Sequence, residues 1–102
     1  MAQVQTTGTV TLTGSVQLMV RGKHSVSLVW KGTQGQHITF RIYRSMTNGA
    51  AYQMIQSLIS GLGYTDGNVA GSATYYYVTT TYDSSTNSES AYSNQITVNI
   101  PN

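Results

Sequence analysis

The sequence predicts an all-β fold: a two-sheet antiparallel sandwich or small barrel of seven strands, with one further strand at the N-terminus. Three observations carry this. Tyr75-Tyr76-Tyr77-Val78-Thr79-Thr80-Thr81-Tyr82 is an unbroken run of aromatic and β-branched residues, which fill a pleated surface well and lose χ1 freedom in a helix. Val26, Leu28 and Trp30 alternate with polar or exposed-type neighbours, the period of two that puts side chains on one face of a strand. Turn signals rich in Gly, Ser and Asn divide the chain about every eight to twelve residues, a spacing typical of sandwiches.

In order, residues 1–14 read as an extension whose Thr9-Val10-Thr11-Leu12-Thr13 alternates like a strand, closed by a turn at Gly14-Ser15. Val16 to Val20 is a second short strand, and Arg21-Gly22-Lys23-His24 a turn. Ser25 to Trp30 is a third strand, with Trp30 at the centre of the expected core. After the loop Lys31–Gln36, the segment His37 to Arg44 points Ile38, Phe40 and Ile42 inward and Thr39, Arg41 and Tyr43 outward. Asn48-Gly49 is a strong hairpin signal and leads into a strand at Tyr52 to Gln56. A turn at Ser60–Gly63 precedes a short strand, Tyr64 to Asp66. The aromatic run follows as the central strand. A polar loop, Asp83 to Asn87, then leads to a last strand, Ala91 to Ile100, with Ile96, Val98 and Ile100 on one face. Pro101 ends it.

The chain has 102 residues, 39% hydrophobic and only 8% charged, with net charge +2. That is enough for one domain with one core. Five basic residues are too few for the basic stripe of a nucleic-acid partner, so none is expected. Arg21, Lys23, Lys31, Arg41 and Arg44 all precede Asp66, Asp83 and Glu89, a segregation open to charge complementarity. The absence of cysteine removes disulfides and thiolate zinc sites. Met1 to Gln5 lacks the basic and apolar regions of a signal peptide, and no run approaches the ~18 apolar residues of a membrane span, so membrane insertion is not expected.

Ser25 to Trp30, Phe40-Arg41-Ile42-Tyr43-Arg44-Ser45, Tyr64-Thr65-Asp66, Val69 to Val78 and Ser88 to Asn94 together resemble the fibronectin type III domain in its bacterial form, over about residues 15–101. The resemblance implies an Ig-like two-sheet β-sandwich for residues 15–101, with residues 1–14 as an extra N-terminal strand. It also implies a tyrosine corner, in which the Tyr75 hydroxyl reaches back to the backbone near Val69. Thr79 and Thr81 stand where that family places inward Val and Ala, so a wetter core is expected there.

Catalysis by carboxylate pairs or a triad finds no constellation in the sequence. Two isolated histidines, His24 and His37, read as solvent-facing, and Asp83 to Glu89 lacks the central Gly of a calcium loop. The expectation is therefore no catalytic, cofactor or metal residues and no cofactor. Trp30 and Tyr75 are structural. Arg41 and Tyr43 beside Tyr76, Val78, Thr80 and Tyr82 make the candidate binding face, of residue types that dominate interfaces, and the loops Lys31–Gln36 and Asp83–Asn87 are a second surface. A non-enzymatic spacer or interaction module is expected, meeting a protein or polysaccharide at the outside of a cell or virion. The alternatives are a subunit that self-assembles by strand addition through Val10 and Leu12, and an engineered binding scaffold.

Overall fold

The computed structural model describes residues 11–18 and 24–102, the first of these through the backbone pairing of its strand. The elements are β1 (Thr11–Leu18), β2 (His24–Lys31), β3 (Ile38–Ser45), β4 (Gln53–Ile59), β5 (Gly63–Asp66), β6 (Thr74–Asp83), β7 (Ser88–Glu89) and β8 (Ile96–Asn99). One sheet runs β1-β2-β5 and the other β4-β3-β6, with β7 and β8 both paired to the far edge of β6. All pairings are antiparallel. Taken as one interrupted edge strand, β7 and β8 bring the total to the seven expected.

The period of two holds where it was read. Val26, Leu28 and Trp30 from one sheet face Phe40, Ile42, Tyr75, Tyr77, Val98 and Ile100 from the other, all buried. Trp30 and Phe40 meet across the sandwich with ring centroids 5.7 Å apart. Thr79 and Thr81 point into the same interior and are fully buried. Thr79 Oγ1 donates to the Arg41 carbonyl at 2.7 Å, whereas Thr81 Oγ1 has no hydrogen-bond partner among the described residues.

Four local expectations are corrected. Gly14 and Ser15, read as a turn, stand mid-strand opposite Leu28 and Ser27; ladder bonds need only backbone, so Gly-Ser need not punctuate. Leu12 thus pairs with Trp30 inside the chain, while Val10 lies outside the described residues. His24 is buried, not solvent-facing, because β2 extends to it opposite Leu18 and its ring edge lies by Gly71, where an added Cβ would be 3.8 Å from Cδ2. His37 is exposed, as expected.

β4 runs on to Ile59 through two register shifts against β3. At the first of them Leu58 takes a positive φ of 59°, the left-handed conformation a bulge asks of one residue. The last strand, expected from Ala91 to Ile100, forms only as β8, Ile96–Asn99, and a two-residue strand, β7, precedes it at Ser88–Glu89. Between the two, Ser90 and Ser93 turn their hydroxyls to the β6 backbone, accepting from Thr81 N and Thr79 N at 2.9 Å each. Their own amides still donate to Thr81 O and Thr79 O. The segment stays moored while it departs from strand geometry.

Candidate binding face

Period two places Arg41 and Tyr43 of β3 and Val78, Thr80 and Tyr82 of β6 on the outer face of the larger sheet, with Arg41 opposite Thr80 and Tyr43 opposite Val78. The pairing of β7 with β6 sets Glu89 opposite Tyr82. Its carboxylate gathers the face. Arg41 Nη1 donates to Glu89 Oε1 at 3.0 Å, Thr80 Oγ1 to Oε2 at 2.6 Å, and the Tyr43 hydroxyl also donates to Oε2. The Arg41 guanidinium lies over the Tyr82 ring, its Cζ 4.0 Å from the centroid, within cation–π range. The Tyr82 hydroxyl in turn donates to Asn87.

The departure of residues 90–95 from the β6 ladder carries Tyr92 over this face. Tyr43 and Tyr52 each meet the Tyr92 ring edge-to-face, with centroids 5.2 and 5.1 Å away, a preferred aromatic geometry. Tyr52 is fixed by donating its hydroxyl to Gln95, which also accepts from Gly49 N and donates to Asn48 at the hairpin. Tyr92 nevertheless keeps 50% of its surface exposed. Tyr43, Thr80, Glu89, Ser90, Ala91 and Tyr92 bound a shallow hollow of about 390 Å³.

Electrostatics follow the contacts. Burial alone would raise the Glu89 carboxyl, but hydrogen bonds from Thr80 and Tyr43 and the Arg41 charge outweigh it and hold the group below its ordinary value. Burial, then the neighbouring Glu89, pushes the Tyr43 phenol up.

Of the expected face, Arg41, Tyr43 and Tyr82 come together. Tyr76 does not join them; it stands near the other end of β6, opposite Ser45 and Thr97. Glu89, Tyr52 and Tyr92 were not foreseen as members. The loop Asp83–Asn87 is tied internally, with Asp83 Oδ1 accepting from Ser85 N at 2.9 Å and Ser85 Oγ at 2.6 Å, and to the chain just before β3, where Ser84 N donates to His37 O at 2.9 Å.

On the inner side, Ala70 N donates to the Tyr75 hydroxyl at 3.0 Å, the backbone contact of a tyrosine corner. Close by, Asp66 is buried and accepts from Arg44 Nη1 at 2.8 Å, Tyr77 OH at 2.7 Å and Asn68 N at 3.0 Å. The segregated charges of the sequence therefore meet within the fold, Arg41 with Glu89 and Arg44 with Asp66.

No protein-family model matches the chain. Over 77 residues, 76% of its length, the chain is 35% identical to an amylopullulanase from Thermoanaerobacter thermohydrosulfuricus, of which it spans 5%. Among solved structures it is similar to an Fn3-like protein from Clostridium thermocellum, with 27% identity and TM-score 0.70 over 88% of this chain and 90% of that one. It is also similar to the fibronectin type-III domain of human fibronectin type III domain containing protein 3, with 19% identity and TM-score 0.68 over 94% and 88% of the two chains. The two-sheet topology, the tyrosine corner and these likenesses agree that the chain has a fibronectin type III-like fold.

Proposed function

We propose that the chain is a non-catalytic accessory module, a spacer or interaction domain, of a larger secreted or surface-exposed polysaccharide-degrading protein. The observation that carries this is the module-sized match to an amylopullulanase of which the chain spans 5%. Physical features support it. The clustered polar groups Arg44–Asp66–Tyr77 and Arg41–Glu89–Tyr43 satisfy one another in fixed hydrogen bonds, which suits rigidity. Glu89 is held as an ionised acceptor by three donors, the opposite of what a general acid needs near neutral pH. The outer face is the module's contact surface for a protein or polysaccharide.

Two measurements on the isolated chain test the reading. A cooperative thermal transition with native-like near-ultraviolet dichroism is expected of an independent module. No release of reducing sugar from starch or pullulan is expected. A chain that does not fold alone, or sugar release that scales with its concentration, overturns the proposal.

A further inference from the structure

We infer that the hollow beside Tyr92 is a binding site for a neutral pyranose ring of a polysaccharide chain; the source of that ligand rests on the accessory-module reading. Three properties argue for this ligand class. The first is a prepared aromatic surface. Tyr92 is held from two sides by Tyr43 and Tyr52, yet remains half exposed. A ligand with an apolar face can cover it without new side-chain ordering, the cost that usually weakens binding.

The second is a fixed polar edge. An ionised carboxylate offers about four acceptor positions. Arg41, Thr80 and Tyr43 take three of them at Glu89, and a hydroxyl donor from a ligand can take the remainder. The Tyr43 hydroxyl donates to Glu89 and its oxygen is itself an acceptor. Apolar surface beside a few placed polar groups is the composition of a small-ligand site, and the hollow's volume of about 390 Å³ falls within the usual range of about 300–1,000 Å³.

The third is charge balance. Glu89 lines the hollow, and Arg41, 3.0 Å from it but outside the lining, offsets its charge. A cation over the tyrosines, or an anion, would lose hydration without a compensating counter-charge. A neutral polyol exchanges water hydrogen bonds for protein ones, at no such cost. That selects a neutral sugar over a uronate and over a basic peptide.

The test is a heteronuclear NMR titration of the whole chain with maltohexaose, cellohexaose and an acidic oligogalacturonate. Because the hollow is shallow, saturation is expected at a roughly millimolar Kd for a neutral oligosaccharide. Shifts should centre on the amides of Tyr43 and Glu89 to Tyr92. Tyr92→Ala should weaken binding by roughly tenfold or more, as for an anchoring aromatic, with its melting temperature within a few degrees of the parent. Tyr92→Phe should bind like the parent, and Leu58→Ala should too. No shift with either neutral sugar, undiminished binding by Tyr92→Ala, or equal binding of oligogalacturonate overturns the inference. Failure here leaves folding and sugar release unread, so it is distinguishable from failure of the module reading.

Discussion

Tyr77 donates its hydroxyl to Asp66 Oδ2 at 2.7 Å, bridging the two sheets inside the core. Burial, then the hydrogen bond and charge of Asp66, pushes the Tyr77 phenol far up. Burial opposes the Arg44 charge, but its hydrogen bond to Asp66 and the Asp66 charge outweigh that and hold the guanidinium above its ordinary value. Tyr77→Phe is expected to cost about 1.5–3 kcal/mol, the range for a hydrogen bond to a charged group, because Arg44 and Asn68 N still serve the carboxylate. Asp66→Asn should cost more, about 3–5 kcal/mol, since it strands a partly buried cation. Urea midpoints of the two variants check this. An Asp66→Asn protein as stable as Tyr77→Phe would show that the ion pair does not hold the seam.

Trp30 is 3% exposed and tilted against Phe40 at 5.7 Å, the main aromatic contact between the sheets. Trp30→Ala is expected to cost about 3–5 kcal/mol, against a total of about 5–15 kcal/mol for a domain. The variant's thermal midpoint by circular dichroism should fall far below that of the parent. A cooperative melt close to that of the parent would place the core elsewhere.

Thr79 and Thr81 are two buried hydroxyls with opposite prospects. The first serves the Arg41 carbonyl at 2.7 Å; the second lacks a partner among the described residues. Replacing an unserved hydroxyl by a methyl of the same shape removes a desolvation cost, so Thr81→Val should stabilise by about 1 kcal/mol. Thr79→Val should destabilise by about 1 kcal/mol, because it removes a buried hydrogen bond to the Arg41 carbonyl. Thermal midpoints moving in the same direction for both would mean that the hydroxyl pairing does not govern these sites.

What could be read in advance follows from range in sequence. Val26, Leu28 and Trp30, or Ile38, Phe40 and Ile42, declare a buried face within six residues. Asn48-Gly49 declares its turn, and Gly49 indeed takes φ 75° beside the Thr47–Ala50 bridge. Glu89 declared nothing: an acid among Ser and Asn looks like solvated loop, and Arg41 is 48 residues away. Tyr92 was hidden for a related reason. Its exposure depends on Ser90 and Ser93 substituting hydroxyls for strand contacts, an arrangement that alternating apolar residues do not encode. His24 looks like a turn residue because its charged and glycine neighbours signal one, whereas it is buried between its strand partner Leu18 and the distant Gly71 turn.

The same network makes stability depend on pH at both ends. Glu89 sits below its ordinary 4.5 when folded, with burial opposing and Thr80, Tyr43 and Arg41 prevailing. A depressed folded value means that the unfolded chain binds the proton more tightly. The contribution is therefore full above pH 4.5 and is lost as pH falls through the folded value. Tyr43 lies above its ordinary 10.0, so its contribution is present below pH 10 and fades as alkali ionises the phenol. Asp83 is also lowered, through the Ser85 hydroxyl, and shares the acid window. Comparing the parent with Glu89→Gln isolates one carboxyl from the other. Urea midpoints from about pH 2 to 7 should show the parent more stable near neutrality, with the gap closing in acid as Glu89 protonates. A gap that stays constant through the acid range would mean that the Glu89 charge contributes nothing to the face.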